Sequence, residues 1–287
     1  MTKRILFSLA ALTLLASCGN NGNRPAGEEI QKDVATTRYK NIASKLKDGS
    51  VTIPGKFTAT TKMDLGSAGY KLESLNAADP EAHYWHSKTV SSGVDQGREY
   101  NVNMEVWAYA EGEKYIVAMA ESDPSGSEAK YVEFASWTVA EPIVSVELKS
   151  LTSDVKKLTS DFMTTVEQVL TTDFGSMIGL QSGTSIEGVT IDKYNVSPKY
   201  YSTGEGNLSV VINVDIAATE SGKSSSVAGD VSMTIDQYLP QNLKIGYATE
   251  LDGQKANNST EIAFQWNQVD QNKPDLSKFE KTSIDLD

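Results

Sequence analysis

The sequence predicts an α+β fold, a curved antiparallel β-sheet packed against two or more helices. Three observations predict it. Two stretches, about 28–47 and 153–174, place apolar residues three and four apart. Two long runs between 51 and 266 place them two apart, and clusters of Gly, Asp, Ser and Pro separate the alternating segments. The chain has 287 residues, 39% hydrophobic and 22% charged, which is enough apolar material for a sizeable core. Its one cysteine excludes an internal disulfide, so no covalent cross-link assists folding.

The first helix is expected over about 28–47. Ile30, Val34, Ile42 and Leu46 fall near one face with Tyr39 and Ala43 beside them, and Asp48-Gly49 supplies a stop. Glu28 and Glu29 suit the positive end of its dipole, Lys45 and Lys47 the negative end. The period then changes to two. Val51, Ile53, Phe57, Ala59, Met63 and Leu65 hold odd positions, while Thr52, Lys56, Thr58, Thr60, Lys62 and Asp64 hold even ones, as in an antiparallel sheet with one wet face. Gly66-Ser67-Ala68-Gly69 turns the chain into a strand at 70–75, and further strands are expected at 83–91, 99–110, 114–121 and 129–139. Residues 143–150 fit either state: Val144, Val146 and Leu148 alternate, yet they run smoothly into the next element. From Ser153 the pattern is helical, with Val155, Leu158, Phe162, Val166, Val169 and Phe174 at spacings of three, four and five and Gly175 to end it. A second meander follows at 208–216, 227–235, 243–251 and 260–266, with Asp252-Gly253 as the tightest hairpin signal. The polar segment 268–287, with Pro274, Leu276 and Phe279 as anchors, is expected to drape over the body at 28–267. The order helix, meander, helix, meander also reads as two halves, 28–140 and 141–267, although no residue-level repeat links them.

The N-terminus carries the clearest motif. Lys3 and Arg4 precede an apolar stretch from Ile5 to Leu15, too short to remain as a membrane span of about 20 residues. It closes on Leu15-Ala16-Ser17-Cys18-Gly19. This arrangement resembles the lipobox of bacterial lipoproteins, with Leu at −3, small residues at −2 and −1, and cysteine at +1. The resemblance implies a signal peptide at 1–17, a diacylglyceryl group on Cys18, and residence on the extracytoplasmic face of a cell membrane or outer membrane. Two or more acyl chains hold a protein stably where one holds it marginally. Residues 18–27, rich in Gly and Asn, read as a flexible tether with a reach of about 15–18 Å. Removing 1–17 leaves 24 basic and 38 acidic residues, a net charge of −14. Anionic headgroups repel such a body, so the lipid does the attaching. The same charge excludes nucleic acid as a partner, since basic side chains must displace its counterions.

In pattern, the helices and meanders look like the half-barrel of the LolA/LolB lipoprotein carriers and the LppX-type mycobacterial lipoproteins. That resemblance implies a non-enzymatic carrier that binds a lipid or other amphipathic ligand between sheet and helices. No sequence motif carries it.

Catalytic and metal constellations are sparse. His83 and His86 are three apart in an expected strand, which points them to opposite faces, with no cysteine to complete a zinc set. They read instead as partly exposed members of an aromatic strand. Gly179 to Gly183 spells Gly-Leu-Gln-Ser-Gly, out of register for a nucleophile elbow. Gly204-Glu205-Gly206 and Gly222-Lys223-Ser224 read as hairpin turns, and Asp123-Pro124-Ser125-Gly126 as a β-turn rather than a calcium loop. The expectation is no enzyme, no metal and no cofactor.

Aromatic residues concentrate in the first meander. Residues 100–119 are apolar on both faces, with Val102, Met104, Val106 and Ala108 on one and Trp107 and Tyr109 on the other. The candidate groove lining is Trp85, Trp107, Tyr109, Tyr115 and Trp137 together with Val155, Leu158, Phe162 and Val166. Two readings stay open: a cleft for an amphipathic ligand, or a surface module that binds glycan or protein through exposed aromatics.

Overall fold

The computed structural model describes residues 25–66, 68–95, 97–173, 182–186 and 188–283. Cys18 and the expected helix end at Phe174–Gly175 lie outside the described residues. The chain forms two compact units, one of Met1–Thr52, Asp64–Ser67 and Asp161–Glu261, the other of Ile53–Met63, Ala68–Ser160 and Ile262–Asp287. Both combine antiparallel strands with helix, as the predicted α+β class requires. They are interleaved along the chain, unlike the consecutive halves 28–140 and 141–267. The reason is packing: the first helix buries Ala35, Tyr39 and Ile42 in the same core as Leu208, Ile212 and Met233 from the later strands.

In the first unit, β1 (Glu28–Ile30), β9 (Val189–Ser202), β10 (Leu208–Glu220), β11 (Lys223–Asp236) and β12 (Leu239–Leu251) are hydrogen-bonded in that order. The helix expected from 28 starts later, because Glu28–Ile30 pair with Tyr200–Ser202 as an edge strand and α1 occupies Lys32–Lys47. Its buried stripe is Ala35, Tyr39 and Ile42, and Val34 faces out at 41% exposure. On β10, Leu208, Val210, Ile212, Val214 and Ile216 all point into the core, each worth about 1.5–3 kcal/mol when fully buried. Two-residue turns at Ser221-Gly222 and Asp252-Gly253 have positive φ at both positions, which matches strand twist. β9 has no counterpart in the sequence reading. Its inward residues change parity at a bulge where Ile191 pairs with Ala218 and Lys193 with Ala217, so Val189 and Ile191 give way to Tyr194, Val196 and Tyr200. A short strand β8 (Ser185–Ile186) pairs with β9.

In the second unit, β3 (Tyr70–Asp79), β4 (Tyr84–Asp95), β5 (Arg98–Glu111), β6 (Lys114–Asp123) and β7 (Gly126–Phe134) form consecutive antiparallel hairpins. β2 (Phe57–Leu65) precedes them, and β13 (Gln254–Trp266) begins in the first unit and ends in the second. The strand expected at 129–139 ends at Phe134, where the carbonyl of Ser136 accepts the backbone N–H groups of Val139 and Ala140 and starts a helix. That helix, α2, runs Trp137–Thr171 and absorbs 143–150, with Ala140, Val144, Leu151 and Val155 as its buried stripe. Its residues to Ser160 belong to the second unit and the rest to the first. There, Phe162, Val166 and Val169 join the core, Tyr39 donates to the Met163 carbonyl at 2.8 Å, and Lys32 Nζ meets the terminal Thr172 carbonyl at 2.7 Å. The C-terminal segment is attached throughout its described length, and β14 (Glu280–Thr282) adds a parallel strand to β7. No described helix is long and apolar enough to cross a membrane.

Candidate ligand-binding face

The two faces of the second unit's sheet are covered differently. On one, Ala108, Tyr115 and Phe134 pack under Ala140 and Val144 of α2, with Trp85 and Trp137 at the edge. Trp137 lies edge-on to Tyr115 at 4.9 Å and stacks on His83 at 4.4 Å. The Tyr115 hydroxyl and the Trp85 indole N–H are buried without a partner, and burial pushes the Tyr115 phenol far up. The other face carries Ala77, Tyr84, Trp107, Tyr109, Ile116 and Ala118, covered by Val269, Leu276 and Phe279 of the C-terminal segment. Phe279 meets Trp107 edge-on at 6.0 Å.

The groove candidates thus divide. Trp107 and Tyr109 lie on the C-terminal-segment face, and Trp85, Tyr115 and Trp137 on the α2 face. Phe162 and Val166 belong to the first unit's core, Val155 is buried on α2, and Leu158 is half-buried. Trp107, Tyr109 and Tyr115 are buried, with Trp107 only 7% exposed, while Trp85 and Trp137 are half-buried.

Strand register builds a further pattern on the face under the C-terminal segment. β5 presents Asn101, Asn103, Glu105, Trp107 and Tyr109 by alternation. Their cross-strand partners complete rows: Val90, Asn103 and Ser122; Lys88, Glu105 and Ala120; His86, Trp107 and Ala118. The face therefore grades from apolar at Tyr109 to polar at Asn101 over about 27 Å. His86 sits at the transition. Its ring stacks on Trp107 at 5.3 Å with planes 9° apart, and its Nε2 is 2.9 Å from Glu105 Oε1. Lys88 Nζ reaches the other Glu105 oxygen at 3.2 Å. Burial lowers the His86 pKa despite the carboxylate, so the ring is neutral near pH 7. The expected strand at 83–91 made both histidines partly exposed and opposed. Instead His83 is a turn residue with φ of 49°, and His86 is 5% exposed.

Beyond this transition the polar end opens into a depression of about 460 Å³ lined by Lys88, Val90, Asn101, Asn103, Ser122, Asp123 and Pro124. Asp123 is already engaged, its Oδ1 accepting from the backbone of Ser125 and Gly126 and from the Ser125 hydroxyl. The Asn103 carboxamide oxygen is buried and has no partner, an acceptor with no donor. Sequence reading found the aromatic end of this face and missed Lys88, Asn101 and Asn103. The signal was in the odd positions of 101–109, which change from amide to carboxylate to indole.

The C-terminal segment also holds on through polar contacts. The Tyr84 hydroxyl donates to the Asn272 carbonyl at 2.9 Å, Lys273 Nζ meets the Ala110 carbonyl at 3.2 Å and Glu111 at 3.0 Å, and Gln271 reaches Asp79 at 3.4 Å. Burial raises the Asp79 carboxyl, but Lys56 at 2.6 Å and the Ala82 N–H outweigh it and hold the group below its usual value. No residue of the segment from Asn267 to Ser283 is fully buried.

Among the described residues, no group of three or more His, Cys, Asp or Glu side chains gathers to hold a metal. Comparison with known protein families and with characterised proteins finds no match for this chain.

Proposed function

We propose that this chain is a lipid-anchored, extracytoplasmic lipoprotein, attached through Cys18, that binds or carries an amphipathic ligand and performs no catalysis. The anchoring half rests on Leu15-Ala16-Ser17-Cys18, and the half-barrel arrangement inferred from helix and strand order belongs to the same reading. The ligand-binding half is carried by one observation. The aromatic surface of Tyr84, Trp107, Tyr109 and Ile116 is covered by a segment of which no described residue is fully buried. Such a cover contributes little fully buried apolar surface of its own, whereas the surface beneath it strongly favours an apolar occupant.

The test is organic extraction of the purified full-length lipoprotein, followed by mass spectrometry. The reading expects a bound amphiphile in stoichiometric yield, apart from the acyl groups on Cys18. Extracts holding only those acyl groups, together with a protein that takes up no added amphiphile, contradict it.

A further inference from the structure

Resting on that reading, we infer that the graded face of the second unit takes an amphiphile with a sugar head, the head seated in the Asn101–Asn103–Ser122 depression and the chain running along Trp107 and Tyr109 beneath the C-terminal segment. The direction follows from the rows, since polar and apolar ends lie on one continuous strand face. The head chemistry follows from the side chains. Lys88 is matched by Glu105, so the depression offers no free cation to a phosphate, and the exposed Asp123 carboxylate, one oxygen held by its own turn, stays charged and repels one. What it offers is two carboxamides and a hydroxyl. The buried Asn103 oxygen needs a donor, which a sugar hydroxyl supplies and a phosphocholine head does not. The apolar part follows from the cover. Leu276 and Phe279 occupy the place of an alkyl chain, and their displacement opens the strip.

Calorimetric titration of the full chain held in amphipol tests this with octyl glucoside, glucose and octylphosphocholine, each below its micellar concentration. Octyl glucoside is expected to bind more tightly than either comparator. Asn103→Leu is expected to weaken it by about three- to tenfold, the loss of one hydrogen bond. Phe279→Ala is expected to tighten it, an effect opposite in sign to that of general damage. Equal binding of both octyl compounds with no effect of Asn103→Leu overturns the sugar-head inference and leaves the amphipathic-ligand reading standing. Glucose binding as tightly as octyl glucoside, with no effect of Phe279→Ala, overturns the chain placement. Binding of neither octyl compound overturns the inference and that reading together.

Discussion

Tyr238 shows how much a single residue can be asked to carry. It occupies a two-residue turn with Gln237, both at positive φ, between Asp236 and Leu239. Neither residue is a glycine, so the turn is strained. Neighbours hold it there: Lys45 lies over the Tyr238 ring at 4.4 Å and donates to its hydroxyl at 2.9 Å, while the backbone N–H of Tyr238 donates to the Gly206 carbonyl. Gly206, at φ of 82°, leaves room for that ring, since a Cβ there would sit 2.8 Å from it. Gly206→Ala is therefore expected to destabilise the protein by about 1–3 kcal/mol, read as a lower thermal midpoint. A melt unchanged from the parent contradicts this. His86 gives a pH-dependent counterpart. Its folded pKa lies below 6.5 because burial disfavours the charged ring. The unfolded chain therefore binds the proton first as pH falls. His86 contributes no pH dependence well above 6.5, and stability is lost as pH falls from 6.5 toward the folded value. Melts at about pH 7.5 and about pH 5 should show the drop, and His86→Gln should shrink it.

At the scale of elements, what the sequence revealed and what it hid follow from periodicity. β10 and β11 were legible because one parity is apolar over most of the strand, from Leu208 to Ile216 and from Val227 through Val231 and Met233 to Ile235. β9 was hidden because a bulge near its start exchanges the parities, putting Val189 and Ile191 out of step with Tyr194, Val196 and Tyr200. The start of α2 was hidden differently. Val144 and Val146 alternate, yet only Val144 is buried and Val146 is 62% exposed, as on a helix rather than on one face of a strand. Pro142 is exposed inside the helix, where it gives the Thr138 carbonyl no N–H partner at the usual spacing. Pro142→Ala should accordingly stabilise α2, raising the thermal midpoint measured by circular dichroism, by up to about 3 kcal/mol. A lowered midpoint contradicts that view of the helix. The candidate site was half legible for the same reason. Trp107 and Tyr109 announce themselves by composition, whereas the roles of Asn103 and Lys88 depend on cross-strand register, which no single strand carries in its sequence.

For the whole molecule, charge and anchor belong to one account. On the proposed function, a mature body of net charge −14 would be repelled by anionic headgroups, and a lipid on Cys18 would provide the attachment that its surface does not. An acidic exterior and a covered aromatic interior suit a protein that stands off the membrane and takes an amphipathic ligand out of water. That account depends first on Cys18. The most direct measurement is the intact mass and N-terminal peptide of the protein isolated from the membrane fraction of its own cells. The account predicts a chain beginning at Cys18, heavier than its 270 residues by a diacylglyceryl group or more, and lost from the membrane in Cys18→Ser. A chain recovered with an unmodified thiol at Cys18, or cut at another position, contradicts it.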